Sequence, residues 1–153
     1  MAAGAAACAT GGTRPRYGAL PEAVVVTQII RAPTLVIGDV EAAVRRAGLS
    51  VARYAPAEGF LETRWFDVAT RAATGSPYTH LDQVIRLRFF ADPDQGKTRL
   101  VAEAVWMIAW DPSLPERELE RMVPATHPGR LFLDSLIAPL RPDTTTGGPP
   151  LRP

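Results

Sequence analysis

Residues 81–110 read LDQVIRLRFFADPDQGKTRLVAEAVWMIAW, and this stretch decides the fold. Two runs within it, about 81–91 and 98–110, alternate side chains of different character and are rich in aromatic and β-branched residues, which is typical of strands. The residues between them, 92–96, include a proline, a glycine and two aspartates, which favour tight turns. The stretch therefore predicts two long antiparallel strands joined as a hairpin.

A strand and a helix are predicted near the start of the folded region. Residues 22–31 carry several β-branched side chains and predict the first strand. Apolar residues then recur at helical spacing between Asp39 and Ala47, and Gly48 follows the last turn. This pattern predicts a helix that begins with Asp39 as its N-cap or as early as Thr34.

A second hairpin and a long loop fill the interval before the long hairpin. Two short runs, about 49–55 and 59–67, flank the turn-forming residues 56–59 and predict a pair of strands. The loop 68–80 follows, and its Gly75-Ser76-Pro77 centre prevents regular structure. A loop of this length in a small domain either serves a function or is mobile.

Two helices are predicted after the long hairpin. Ser113 and Glu116 have the spacing of a capping box, with Pro115 in the first turn. This helix places Leu119, Met122 and Val123 on one face. A second helix begins near Pro128 and has one apolar face, formed by Phe132, Leu133, Leu136, Ile137 and Leu140.

The order of these elements predicts an α+β fold. Consecutive hairpins give an antiparallel sheet, and amphipathic helices need an apolar surface to cover. We expect a two-layer sandwich in which an antiparallel sheet of four to five strands has helices packed on one face. This single domain spans 21–140, with a flexible leader at 1–20 and a disordered tail, rich in Pro, Thr and Gly, at 141–153.

Side-chain alternation assigns the strand residues to two faces of the sheet. The apolar set, expected under the helices, is Leu61, Thr63, Trp65, Ile85, Leu87, Phe89, Leu100, Ala102, Ala104, Trp106 and Ile108. The charged set is Glu62, Arg64, Arg86, Arg88, Arg99 and Glu103. One interpretation of the charged face is a solvated ladder of ion pairs. The other is a docking surface, because apolar side chains accompany the arginines there; its candidate residues are Arg64, Arg86, Arg88, Phe66, Phe90 and Met107.

No pattern of catalytic, metal or nucleotide chemistry is found in the sequence. A net charge of +1 gives no broad attraction to nucleic acid, and the aromatic motif of RNA-recognition modules is absent. His80 and His127 are far apart and have no cysteine or carboxylate cluster at metal-ligand spacing. Neither a nucleophile elbow nor a phosphate-binding glycine loop occurs. We expect a non-enzymatic protein without cofactor, metal or nucleic-acid partner.

The leader MAAGAAAC (1–8) ends at Cys8, which is the single cysteine of the chain. Ala5-Ala6-Ala7-Cys8 resembles the end of a bacterial lipobox, although Ala5 stands where a larger aliphatic residue is usual. A lipid on Cys8 would require an export segment upstream of Met1, because residues 1–7 lack the basic start and long apolar run of a signal peptide. The alternative is a flexible leader with an incidental cysteine, on a cytoplasmic protein. No apolar run has the length of a membrane helix, so membrane contact is expected only through lipid.

The residues GFLETRW (59–65), which follow AAVRRAGLSVARY (42–54) and precede two long strands, resemble a small bacterial envelope-lipoprotein domain. The plan is similar to that of the helix-grip modules in the lipoprotein subunit of the outer-membrane β-barrel assembly machine, over about 36–110. The resemblance implies a periplasmic or outer-membrane-anchored accessory domain, lipidated at Cys8, that docks an envelope protein through its sheet face or the 68–80 loop. A carrier of a small apolar ligand such as lipid is the alternative, with Trp65, Trp106 and Trp110 lining a pocket between sheet and helices.

Overall fold

The computed structural model describes residues 13–142, in which seven strands and three α-helices form an α+β fold. The strands are β1 Val24–Ile29, β2 Val51–Ala55, β3 Phe60–Thr63, β4 Phe66–Asp67, β5 Val84–Asp94, β6 Lys97–Met107 and β7 Glu120–Met122. The helices are α1 Pro33–Arg46, α2 Glu116–Leu119 and α3 Pro128–Ile137. Single 3₁₀ turns follow β2 and α3.

The sheet is antiparallel, with the strand order β1-β6-β5-β3-β2. The two shortest strands add to its centre, because β4 pairs with the start of β5 and β7 with the end of β6. The prediction of an α+β fold with an antiparallel sheet is confirmed. The predicted number of four to five strands is too small, because the run 59–67 is two strands and β7 lies where a helix was expected.

The long hairpin is tighter than its sequence predicts. β5 and β6 stay paired as far as Asp94 and Lys97, so the connection is only Gln95 and Gly96. Their φ values are +49° and +81°, and two successive positive φ angles are what a two-residue hairpin turn needs to match strand twist. Pro93 is accommodated opposite Thr98 within the strand pair.

Gly59 allows β3 to lie close against β5. Its φ is +64°, and a Cβ built on it would lie 2.0 Å from the carbonyl oxygen of Ala91. The Ala91 amide donates to the Gly59 carbonyl at 2.8 Å across the same contact. Only glycine fits this close approach of two backbones.

Helices α1 and α3 cover one face of the sheet. The buried side chains of α1 are Val36, Ile37, Val40 and Val44. Leu133 and Ile137 of α3 join them in one core cluster with strand residues of the apolar set. The helix-facing core is therefore filled by side chains from both layers.

Helix α1 begins earlier than Asp39, at Pro33, which occupies the first turn where its missing N–H costs nothing. Asp39 is not an N-cap but lies inside the helix, where it forms an ion pair with Arg31. Gly48 follows the helix with φ +83°, as its sequence position predicts.

The helix predicted from Ser113 is wrong beyond its first turn. Pro115 is the N-cap of the one-turn helix α2, and the Ser113 hydroxyl donates to Asp111 at 2.6 Å instead of capping it. From Glu120 the chain is extended and pairs as β7 with the end of β6. Strand pairing here places the Glu120 carboxylate next to Arg88, which a continued helix would not do.

Candidate functional site

A buried cluster of charged side chains lies on the sheet face opposite to helices α1 and α3. Glu62, Arg88 and Glu103 are direct cross-strand neighbours on β3, β5 and β6, and Glu120 of β7 joins them. Their exposed fractions are 3%, 2%, 0% and 0% in that order. The predicted pairing of charges across the strands is confirmed, but the predicted solvation of this ladder is wrong.

Arg88 is the centre of this ionic cluster. Its Nη1 and Nη2 donate to the two carboxylate oxygens of Glu120 at 2.6 and 2.7 Å, and its Nε donates to Glu62. Arg117 donates to Glu103 at 2.8 Å and to Glu120 at 3.0 Å. Each of the three carboxylates therefore has an arginine partner, as buried charges require.

The arginines keep the Glu120 carboxyl ionised. Burial alone would raise its pKa, but hydrogen bonds and positive charge from Arg88 and then Arg117 outweigh burial and hold the pKa below its ordinary value. Burial would lower the pKa of Arg88, and the bonds and charges of Glu120 and Glu62 outweigh that effect and raise it. A carboxylate held in this state is a poor proton acceptor at neutral pH, so the cluster is suited to recognition and packing.

Residues 13–22, here named the strap, cross the ionic cluster and explain its burial. The Tyr17 ring lies 5.4 Å from the Arg88 guanidinium carbon and 4.5 Å from that of Arg117. The backbone N–H of Leu20 donates to Glu103. Burial raises the pKa of the Tyr17 hydroxyl, and the charge of Arg88 opposes this effect.

The six residues predicted to form a docking face do not lie together on an open surface. Arg88, Phe90 and Met107 are buried by the strap and by β7 with its preceding turn. Arg64 is exposed, and Arg86 is half-buried with its guanidinium 4.4 Å from the Trp65 ring. Phe66 packs on the helix side, where its ring is 6.2 Å from that of Phe132.

The break at residues 64 and 65 explains the position of Phe66. Strand β3 ends at Thr63 and β4 begins at Phe66, so the two-residue alternation is interrupted between them. Trp65 consequently packs with Val84 and Val105 on the face opposite to helices α1 and α3. The prediction that Trp65 lies under the helices is therefore wrong.

The three tryptophans do not share a pocket between sheet and helices. Trp65 lies on the opposite face, Trp106 packs at the margin of the helix-facing core, and Trp110 is 68% exposed. The predicted common lining by these indoles is wrong, because β6 ends at Met107 and the chain leaves the sheet before Trp110.

An exposed apolar surface lies where β6 ends and the 68–83 loop returns to β5. We name it the end patch; it comprises the exposed side chains of Leu81 and Ile108, and the exposed Trp110 follows Ile108 by two residues. A groove of about 220 Å³ runs through it, lined by Leu81, Asp82, Trp106, Met107 and Ile108. Ile108 was predicted to be in the core, but it is 49% exposed because the strand ends one residue before it.

The loop beside the end patch is fixed by its own hydrogen bonds. The Asp67 carboxylate accepts from the backbone N–H groups of Ala69 and Thr70 at 2.8 and 2.9 Å. These bonds, chiefly that of Thr70, lower the pKa of the Asp67 carboxyl. Val68 donates to Gln83 at 2.9 Å, which closes the base of the loop.

His127 joins this loop to α3. Its Nδ1 accepts from the Gly129 N–H at 2.9 Å, which makes it the N-cap of the helix, and this leaves the proton on Nε2 to donate to the Asp82 carbonyl at 2.8 Å. Its ring also packs edge-on against Trp106. The interpretation of His127 as a capping and packing residue is confirmed, whereas His80 is exposed on the loop.

Cys8, the predicted lipidation site, lies outside the described residues, as does the tail from 143 onward. Within 13–142, no helix has both the length and the hydrophobicity to span a bilayer. In the same range, no three histidine, cysteine, aspartate or glutamate side chains are arranged to bind a metal ion.

Arg117, Glu120 and the strap residues are the members of this region that the sequence patterns did not single out. Nothing in the neighbouring sequence indicates that a glutamate inside a predicted amphipathic helix will be buried. The sequence does indicate the end of β6 near the end patch, because Asp111-Pro112 directly after Trp110 shows that the strand has ended by that point.

Comparison with protein-family models and with curated proteins finds no match to this chain.

Proposed function

We propose that this protein is a non-enzymatic accessory domain of the bacterial cell envelope that binds a protein partner at the end patch. The observation that carries the proposal is the groove where β6 ends, which is lined by the exposed side chains of Leu81 and Ile108 and lies two residues before the exposed Trp110. A groove with exposed apolar side chains at its margin, beside a loop fixed by its own hydrogen bonds, is typical of protein-binding sites. The 68–80 loop, one of two docking elements predicted from the sequence, borders this patch.

The groove indicates the chemistry of the partner. A volume of about 220 Å³ suits one large apolar side chain, such as leucine or phenylalanine, better than a whole lipid. Asp82 is the charged residue in its lining. We therefore propose that the partner inserts an apolar side chain with a lysine or arginine next to it.

A docking function is favoured over the lipid carrier by the packing of the core. A carrier needs an apolar cavity between sheet and helices, but α1 and α3 fill that space with fully buried side chains such as Ile37 and Leu133. The three tryptophans assigned to such a cavity lie in three different environments. The carrier remains the alternative, and a lipid occupying the groove is a possible outcome of the experiment below.

The location follows from the resemblance of residues 1–8 to the end of a lipobox and of 59–65 to envelope lipoprotein domains. We propose that Cys8 carries lipid and that the residues between Cys8 and the strap connect the domain to the membrane surface. Two or more acyl chains on one cysteine bind a membrane stably, whereas one chain is marginal. Intact-mass measurement of the native protein tests this, with an acylated N-terminal Cys8 as the expected result. An unmodified Met1 or Ala2 in the soluble fraction would refute the location.

Docking is tested by photo-crosslinking in cells. A photoreactive amino acid at position 108, in the end patch, is compared with one at position 131, where Leu131 is exposed on α3. We expect a discrete protein adduct from position 108 and none from position 131. Equal labelling from both positions, or a lipid adduct from 108 alone, would contradict protein docking at this patch.

A further inference from the structure

The strap is bound to the rest of the domain by hydrogen bonds that each involve a side chain, either its own or one of the domain. Its only main-chain to main-chain bond in the described residues is the turn from Ala23 to Leu20, at 3.0 Å. No strand pairs with it. The strap, which bends at residues 16–17, therefore lies on the sheet face as a bound peptide would, held by hydrogen bonds that each involve a side chain.

Three recognition elements hold the strap. Arg14 donates two hydrogen bonds to the Asp92 carboxylate, at 2.6 and 3.0 Å, and its guanidinium carbon lies 5.3 Å from the Phe90 ring. Its backbone N–H also donates to Glu58 at 2.8 Å. An arginine bound through two hydrogen bonds to one carboxylate is recognised by its positive charge and by the planar geometry of its guanidinium group.

The second and third elements lie over the ionic cluster. Tyr17 sits against the guanidinium groups of Arg88 and Arg117, and Arg117 also donates to the Gly18 carbonyl at 2.7 Å. The Leu20 N–H donates to Glu103. The face thus recognises an arginine, an aromatic ring three residues later and a free main-chain N–H three residues after that.

The charges beneath the strap do not depend on it. Arg88 is paired with Glu62 and Glu120, and Arg117 with Glu103 and Glu120, entirely within the domain. Removing the strap leaves these pairs intact and returns water to them, which offsets part of the desolvation that strap binding imposes. The strap also packs on apolar side chains of the face, Tyr17 against the cluster of Phe60 and Phe90 and Leu20 against the cluster of Trp65 and Met107, so a segment that displaces it must cover that apolar surface in turn.

We propose that the face beneath the strap is a second, regulated peptide-binding site. In the free protein the strap occupies it, and a partner protein displaces the strap with an extended segment that carries an arginine three residues before an aromatic residue. That segment makes the contacts seen in the strap, where Arg14 pairs with Asp92 and the Tyr17 ring lies against Arg88 and Arg117. The side chains that hydrogen-bond the strap, Asp92, Glu103 and Arg117 among them, do not line the groove of the end patch, so either proposal can be correct without the other.

The test uses the full chain with Arg14→Glu and Tyr17→Ala, which remove two of the three elements. The probe is a labelled peptide with the sequence of residues 13–22, and the matched control peptide carries the same two changes. We expect the variant to bind the probe at least ten-fold more tightly than the wild-type chain does, since the wild-type strap competes. Neither protein should bind the control peptide. A folded variant that does not bind the probe would overturn the proposal.

Two further measurements keep the proposal testable if the variant does not fold. Trypsin cleavage after Arg16, which is exposed beside the half-buried Tyr17, reports strap release in wild-type protein. Hydrogen exchange at the Leu20 amide reports the same opening. We expect both to proceed by local opening, with the Leu20 amide exchanging at least ten-fold faster than the paired amides of β5 and β6. Equal protection of the strap and the central strands would show that it opens only on global unfolding, which contradicts displacement.

Discussion

Arg88 of β5 and Glu120 of β7 form a two-point ion pair, with donor to acceptor distances of 2.6 and 2.7 Å, and neither side chain reaches solvent appreciably. The pair determines the path of the chain after α2, because it requires an extended β7 beside β6. It also gives the strap a charged surface to lie on.

Arg88→Met is expected to destabilise the domain by about 3–5 kcal/mol. The substitution keeps an unbranched apolar stem but removes the guanidinium group, which leaves Glu62, Glu103 and Glu120 without their central partner, and buried charge that loses its partner is the costly outcome. Chemical denaturation of wild type and variant measures the change in the free energy of unfolding. Arg99→Met, at an exposed position on β6, is the control and should change stability little. Equal stability of the two variants would show that Arg88 is not structurally required.

Glu120→Gln is expected to flatten the dependence of stability on pH in the acid range. Because the pKa of Glu120 lies below its ordinary value of 4.5 in the folded protein, this carboxylate stabilises the fold above about pH 4.5, and the contribution is lost as pH falls through the folded pKa. The variant should be less stable than wild type at neutral pH and lose less on acidification. Thermal unfolding across the acid range measures both.

The control for this pH experiment is Glu118→Gln, since Glu118 is exposed on α2, two residues before Glu120. It should follow the wild-type profile. A Glu120→Gln profile that also runs parallel to wild type would mean that Glu120 titrates normally in the folded state.

His127→Ala is expected to cost about 1 kcal/mol, because it removes the N-cap acceptor of α3. It also removes the bond from Nε2 to Asp82, so the 68–83 loop should exchange its amide hydrogens faster. Denaturation and hydrogen exchange measure the two effects. His80→Ala, in the exposed part of the loop, should alter neither. Unchanged exchange in the loop of the His127 variant would show that this residue does not fix the loop.

Comparison of Gly59→Ala with Gly48→Ala separates two costs in stability, that of a left-handed backbone conformation and that of a close backbone contact. Both glycines have positive φ, but a Cβ at Gly48 meets nothing within 4 Å, whereas one at Gly59 lies 2.0 Å from the Ala91 oxygen. Gly48→Ala should cost about 1–2 kcal/mol from the left-handed conformation alone. Gly59→Ala should cost clearly more, since β3 must move away from β5. Equal losses in denaturation midpoints would contradict the close approach.

Local pattern predicted much of this fold, and non-local contacts explain what it missed. The long hairpin, the second hairpin and helices α1 and α3 follow from alternation, helical spacing and turn residues. β7 was missed because the Arg88 that holds Glu120 lies 32 residues away in sequence. The burial of the ionic cluster was missed for the same reason, since Leu20 reaches Glu103 across 83 residues.

The candidate site was predicted only in outline. The 68–80 loop was identified by its length and composition, and it does border the end patch. Ile108 and Trp65 were assigned to the helix-facing side because a continued alternation was assumed past the ends of β6 and β3. Where a strand stops depends on its neighbours in the sheet, and a single strand does not carry that information.

The most direct test of docking at the end patch compares wild type with the double variant Ile108→Asp, Trp110→Asp in recovery of the protein that crosslinks from position 108. Both side chains are exposed, so the unfolding temperature should be unchanged. We predict that recovery of the partner falls at least ten-fold, while Leu35→Asp with Leu131→Asp, at exposed positions on α1 and α3, leaves it unaltered. Equal recovery by the end-patch variant and wild type would contradict the proposed docking surface.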